Sequence, residues 1–66
     1  MELVINGQPR TVPDAITVTA LLDELSLHAS RVAVEVNQDV VSRKFFDDAT
    51  LHDGDRIEIV TFVGGG

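Results

Sequence analysis

Two periods of hydrophobic spacing divide the chain. Val18, Leu21, Leu22 and Leu25 recur at i, i+3, i+4 and i+7 with Asp23 and Glu24 between them, which predicts a helix with a single apolar face. Thr17 stands where an N-cap belongs, although Ala20 occupies the place of the glutamate that would complete a capping box, and the helix is expected to end near Ser26. From Val32 the period shortens to two: Val32, Val34 and Val36 alternate with Ala33, Glu35 and Asn37, as in a strand with one buried face. Leu3-Val4-Ile5 is a second β-prone run, and it meets Asn6-Gly7, a dipeptide that tolerates the positive φ angles of a tight hairpin. A return strand over about Arg10 to Val12 should follow, with Pro9 at its start or on the open edge of the sheet, because proline has no N–H to give a neighbour. Asn37-Gln38-Asp39 reads as a turn before the short piece Val40-Val41, and Ser42 to Asp48 as irregular structure or a brief strand. Asp53-Gly54-Asp55 is a turn that launches Ile57 to Val63, the longest β-prone run in the sequence.

Hairpin, helix and then strands of period two is the order of an α+β domain in two layers, one sheet with one helix across one face. The predicted core is Leu3, Ile5, Val12, Val18, Leu21, Leu22, Leu25, Val34, Val36, Leu51, Ile57 and Ile59. Each stabilises by roughly 1.5–3 kcal/mol when fully buried, so together they offset the chain entropy with a modest surplus. A length of 66 residues allows one such unit and leaves little room to enclose a substrate pocket. Residues 1–63 are expected to form the domain and 64–66 a flexible tail.

Charge and composition narrow the partners. Eleven acids against five Lys and Arg give a net charge of −6, spread along the chain, which would be repelled by nucleic acid. Three Phe and no Trp or Tyr leave few rings on which bases could stack. The absence of cysteine removes disulfides, Cys-ligated zinc and thiol chemistry carried by the chain. No run is long and apolar enough to span a membrane, and the opening Met1-Glu2-Leu3 places an acid where a signal peptide carries bases, so a cytoplasmic protein is expected.

Few residues offer catalytic chemistry. His28 and His52 lie 24 positions apart, each at the end of an element, with neither a second ligand at metal spacing nor a nucleophile to activate; both read as turn-flanking residues. Asp53-x-Asp55 opens like a calcium loop, but Ile57 and Ile59 occupy the following ligand positions and cannot coordinate. Arg43-Lys44 and Asp47-Asp48 read as a solvated loop face. Val60 and Phe62 are more informative. If Ile57 and Ile59 face the helix, Val60 and Phe62 point to the uncovered side of the sheet and are exposed together. Gly64-Gly65-Gly66 follows directly: a run without Cβ atoms can thread a narrow channel close to another backbone, which makes the terminal carboxylate the reactive group.

The ordered set of Asn6-Gly7, Thr17-Val18-Thr19-Ala20-Leu21-Leu22, Val34-Glu35-Val36-Asn37, Leu51-His52-Asp53-Gly54-Asp55 and Phe62-Val63-Gly64-Gly65-Gly66 resembles the ThiS family over the whole chain. Those are sulfur-carrier proteins of thiamine biosynthesis with the ubiquitin-like β-grasp fold, one mixed sheet packed on a single main helix. The resemblance implies a protein substrate rather than an enzyme, with no bound cofactor. The Gly66 carboxylate would be adenylated with ATP by an E1-like partner, ThiF, and converted with sulfur from a donor protein to a thiocarboxylate, which thiazole synthase, ThiG, consumes. Gly64, Gly65, Val60 and Phe62 would then contact partners. The small subunit of molybdopterin synthase, the MoaD family, shares the chemistry but tends to be longer, with a proline in the approach to its glycines where this chain has Thr61-Phe62-Val63. A β-grasp interaction module with an incidental glycine tail is the alternative from another class.

Overall fold

The computed structural model describes residues 1–62. Strand β1 (Glu2–Ile5) turns through Asn6 and Gly7 into β2 (Gln8–Thr11), and the two pair antiparallel from Glu2 opposite Thr11 to Ile5 opposite Gln8. Asn6 and Gly7 have φ angles of 49° and 81°, the doubly positive geometry that matches a two-residue turn to the twist of a hairpin. β2 starts two residues before the expected Arg10 and takes in Pro9. The proline is tolerated because β2 is an edge: the sheet runs β2-β1-β5-β3-β4.

Helix α1 (Val18–Glu24) is seven residues long, too short to persist alone in water, so its ends are held from outside. Its first three N–H groups have no partners within the helix. The Val18 N–H donates to the Ala49 carbonyl at 2.9 Å and the Thr19 N–H to the Phe46 carbonyl at 3.1 Å. The third, on Ala20, donates to the Thr17 hydroxyl, as the N-cap reading expects. At the other end Leu25 is the C-cap and Ser26 takes a φ of 59°, so the Ser26 N–H returns to Asp23 and the Leu27 N–H to Leu22. This is a Schellman closure with serine in the place usually given to glycine.

After a 3₁₀ turn over Ala29–Arg31, β3 (Val32–Val36) and β4 (Asp39–Val41) form a second hairpin, Val36 opposite Asp39. A 3₁₀ turn at Arg43–Phe45 then carries the chain past the helix N-terminus to β5 (Arg56–Thr61). β5 lies between the other strands, parallel to β1 and antiparallel to β3, which makes the sheet mixed.

Thirteen buried apolar side chains form the core between sheet and helix, and among the described residues none that is polar or charged is buried. Ile16, Val32 and Phe46 belong to it beyond the expected set. Phe46 enters because the segment that supplies its carbonyl to the helix N-terminus must lie against the helix, which turns the ring inward while neighbouring Phe45 stays 53% exposed. Ile16 is drawn in where its carbonyl accepts from the Leu51 N–H at 2.8 Å. Leu25 and Val36, expected in the core, are only half-buried and pack on its rim. Leu25 is where the helix stops, and Val36 is the last residue before a turn, so neither has a second layer beyond it.

The β3–β4 turn repeats the first hairpin with one difference. Asn37 and Gln38 have φ angles of 52° and 73°, so glutamine stands where Gly7 stands in the other turn. A side chain in that region costs roughly 1–2 kcal/mol in steric strain, part of which glycine gives back through the greater entropy of its unfolded chain. Gln38→Gly should therefore stabilise the fold by about 0.5–1 kcal/mol, raising the thermal midpoint by roughly 2–8 °C in a domain of this size. An unchanged or lower midpoint in calorimetry would show that the Gln38 side chain contributes contacts of its own.

Candidate functional site

The alternation of β5 sets the character of the sheet's uncovered face. Ile57 and Ile59 are buried against the helix layer, so Glu58 and Val60 point away from it, and Phe62 continues their row just past the strand. Val60 is 59% and Phe62 51% exposed, so both occupy the outer face that the sequence assigns them. Across β3, Val60 is opposite Ala33, and one strand further Val40 is 75% exposed beside the same alanine on the diagonal. An apolar strip thus runs diagonally across β4, β3 and β5, from Val40 level with Glu35 to Val60 nearer the end of the sheet from which the chain leaves toward residue 63.

Next to that strip lies an acidic row. Glu35 on β3 is directly opposite Glu58 on β5, and Val40 flanks Glu35 on its other side. Two carboxylates at directly opposed positions on one face repel each other. Among the described residues neither glutamate takes part in an ion pair. The surface therefore presents a hydrophobic half and a negative half side by side. Gly64, Gly65 and Gly66 lie outside the described residues.

Two asparagines fix the strand that carries these groups. Asn6 donates its N–H to the Ile57 carbonyl at 2.8 Å. Its side chain then reaches on to Ile59, where Oδ1 accepts from the N–H at 2.8 Å and Nδ2 donates to the carbonyl at 3.1 Å. Asn37 holds the start of β5 in a related way: its N–H donates to the Arg56 carbonyl at 2.8 Å, its Oδ1 accepts from the Arg56 N–H at 3.0 Å, and its Nδ2 donates to the Asp55 side-chain carboxylate. Reading Asn-Gly and Asn-Gln-Asp as turn signals locates both residues but misses these clasps. The available signal is that each turn uses asparagine, the residue that combines left-handed backbone with a donor and an acceptor.

The polar residues that suggested other chemistry are used in turns. The Asp53 carboxylate accepts from the Glu2 N–H at 2.7 Å, and Asp55 accepts from the His52 N–H at 2.8 Å, which closes the turn into β5. His52 Nδ1 is 3.8 Å from Asp55 Oδ2 with its ring 79% exposed, and His28 occupies the cap position of the 3₁₀ turn at Ala29 without a side-chain bond there. Among the described residues no group of three or more His, Cys, Asp or Glu could hold a metal ion. Arg43 and Asp47 are more than a solvated loop face. The Arg43 guanidinium donates to the Ala29 and Val32 carbonyls, at 2.8 and 3.3 Å, and Asp47 accepts from the Thr19 hydroxyl on the helix. No helix among the described residues is long and apolar enough to cross a membrane.

The strand order, the parallel pairing of the first and last strands and the single helix laid across one face define a ubiquitin-like β-grasp domain. Its sequence assigns it more narrowly. The model of the ThiS family matches residues 3–66, and the chain belongs to that family. It is 37% identical over 65 residues to the sulfur carrier protein ThiS of Bacillus subtilis, covering 97% of this chain and 98% of that one. The crystal structure of the thiamine biosynthesis protein ThiS from Geobacter metallireducens superposes with a TM-score of 0.86 at 43% identity, over the whole of both chains. A thiazole synthase of Paramagnetospirillum magneticum is 46% identical over 66 residues, and this chain spans 20% of its length.

The acidic row makes a prediction for the domain by itself. Glu58→Gln keeps the shape of the side chain and removes one of the opposed charges, so the thermal midpoint at low salt should rise by about 1–5 °C. The gain should shrink as sodium chloride approaches about 1 M, where screening acts within roughly 3 Å. A gain independent of salt would assign it to packing instead.

Proposed function

We propose that this chain carries sulfur for the thiazole ring of thiamine on the carboxylate of Gly66, as a protein substrate that holds no cofactor of its own. Residues 1–63 act as the body that partners grip, and residues 64–66 as the tail that enters their active sites. The observation that carries the reading is the family match running through residue 66, joined to a last strand whose exposed Val60 and Phe62 lie directly before the glycines. The sequence similarity to a protein named thiazole synthase, within which a segment like this chain forms a fifth of the polypeptide, supports thiazole formation over the molybdopterin alternative.

The chemistry follows from the carboxylate. Its two oxygens share one negative charge, which makes the carbon a poor electrophile at neutral pH. In the cytoplasm, an E1-like, ThiF-like enzyme binds ATP beside the tail; a Gly66 oxygen attacks the α-phosphorus, pyrophosphate leaves, and the acyl adenylate now has a good leaving group. Sulfur at the oxidation level of sulfide, delivered from a donor protein, attacks the acyl carbon, AMP departs and the thiocarboxylate remains. A ThiG-like thiazole synthase then takes the sulfur. Cysteine is not required on the carrier, because the acyl carbon itself bears the sulfur.

Docking must precede this chemistry. The four residues from Val63 to Gly66 span at most about 14 Å, so the body has to seat within that distance of the nucleotide. Ordering them costs roughly 1–2 kcal/mol each. Val60 and Phe62 are already about half covered, so burying the remainder returns about 1.5–3 kcal/mol, half of what full burial would give. Val40, more exposed, adds about 1 kcal/mol. The rest of the 4–8 kcal/mol must come from the tail's own backbone hydrogen bonds and from cations placed against Glu35 and Glu58, about 1 kcal/mol for each neutral bond and more for charged ones.

Removing Gly66, or converting its carboxylate to an amide, should abolish ATP-dependent sulfur loading while the thermal midpoint stays where it is. Loading of the truncated chain at the normal rate would overturn the carrier reading. Phe62→Ala should weaken binding to the E1-like enzyme about tenfold or more, equivalent to about 1.4 kcal/mol, with the thermal midpoint shifted by no more than a few degrees. Normal affinity in a titration of the folded variant would remove Phe62 from the docking surface.

A further inference from the structure

β1 stops at Ile5, where the chain turns away into the hairpin, so β5 loses its neighbour on that flank beyond Ile57. The Asn6 side chain fills the gap. With one amide it makes both bonds to Ile59 that the backbone of a longer β1 would make. On the opposite flank the Phe62 N–H donates to the Arg31 carbonyl at 2.8 Å. Asn6 on one side and Arg31 on the other are therefore the last points at which the described chain is held before it runs on toward the glycines.

The turn does not by itself call for asparagine at position 6. Glycine would take a φ of 49° more readily, and aspartate tolerates it as well but has no amide to donate. What asparagine adds is the paired grip on Ile59. We infer that Asn6 is a positioning residue for sulfur loading: its clasp on Ile59 sets the direction in which β5 delivers the tail to the activating enzyme. This rests on the carrier reading above.

From Ile59 to Phe62 the chain advances three residues, about 10 Å when extended, so a tilt of about 10° at Ile59 displaces the root of the tail by about 2 Å. In-line attack on phosphorus does not tolerate such an error; a displacement of about 1 Å can cost on the order of a hundredfold in rate. The β3 flank keeps Val60 and Phe62 on the outer face whether or not Asn6 is present. Loss of the clasp therefore acts on the rate at saturation more than on docking.

The molecule contains its own control. Asn37 has nearly the same φ and holds the other end of the same strand, far from the glycines: its Oδ1 accepts from the Arg56 N–H and its Nδ2 donates to the Asp55 carboxylate just before it. Asn6→Gly and Asn37→Gly each keep a turn that glycine can make and delete one clasp. Both should lower the thermal midpoint. In ATP-dependent thiocarboxylate formation with the E1-like enzyme, Asn6→Gly should lower kcat about tenfold or more with KM within about threefold, and Asn37→Gly should leave both within about twofold. Asn6→Asp, which keeps the acceptor for the Ile59 N–H and loses the donor, should fall between wild type and Asn6→Gly. In the isolated protein, amide exchange at Ile59, whose N–H is held by Asn6, should speed up about tenfold or more in Asn6→Gly and not in Asn37→Gly. Equal kinetics for the two glycine variants, or unchanged exchange at Ile59, would overturn the positioning role while leaving the carrier reading intact. A wild-type chain that forms no thiocarboxylate would overturn both.

Discussion

β5 is the last strand in the sequence and the middle strand in the sheet, and that constraint organises the domain. To place it there, the chain must leave a gap between β1 and β3 and close it only after the helix and both hairpins have been laid down. The parallel β1–β5 pair joins residues some fifty positions apart, for instance Ile5 beside Ile57. The first residues are thus committed to the fold as firmly as the last: the Met1 amino group donates to the Val12 carbonyl at 2.8 Å and pairs with Asp14 at 2.9 Å. Over its first half β5 is flanked by β1 and β3, and beyond Ile57 by the Asn6 side chain and β3.

The same arrangement explains why so little helix suffices. Seven residues of α1 would not hold together alone, but the segment from Phe46 to Leu51 caps the helix with two carbonyls, joins it at Thr17 opposite Thr50, and adds the Phe46 ring to the core. What the helix lacks in length it gains from being enclosed by a loop on one side and the sheet on the other. The face of the sheet turned away from the helix is left uncovered among the described residues, with apolar and acidic side chains side by side. Glu35 and Glu58, directly opposed on that face, repel each other.

Periodicity made the elements and their faces readable. Leucines at helical spacing gave α1, alternating valines gave β3, and Asn6-Gly7 gave the first hairpin. The period of β5 put Ile57 and Ile59 inside and Val60 and Phe62 outside, as the structure does. Irregular segments carry no such period. Nothing in the Ser42–Asp48 pattern distinguishes Phe45 from Phe46, because the choice between them is made by a backbone hydrogen bond to a helix distant in sequence. Leu25 and Val36 fit their periods and are still only half-buried, since a period describes direction and not how far the second layer extends. The asparagine clasps were hidden for a related reason. Local signals identify a turn, whereas the partner of the turn's side chain is set by the strand order, which brings Ile59 to Asn6 across 53 positions.

The central claim is the proposed one, that the domain presents one reactive carboxylate, that of Gly66, on the tail that follows its middle strand. The most direct measurement is the intact mass of the chain after incubation with ATP, the E1-like activating enzyme and a sulfide source, followed by fragmentation. The account predicts a gain equal to the difference between one sulfur and one oxygen atom, carried wholly by the C-terminal fragment that contains Gly66 and dependent on ATP. A mass that does not change under conditions in which the B. subtilis relative is loaded, or an increment located on any residue other than Gly66, would contradict it.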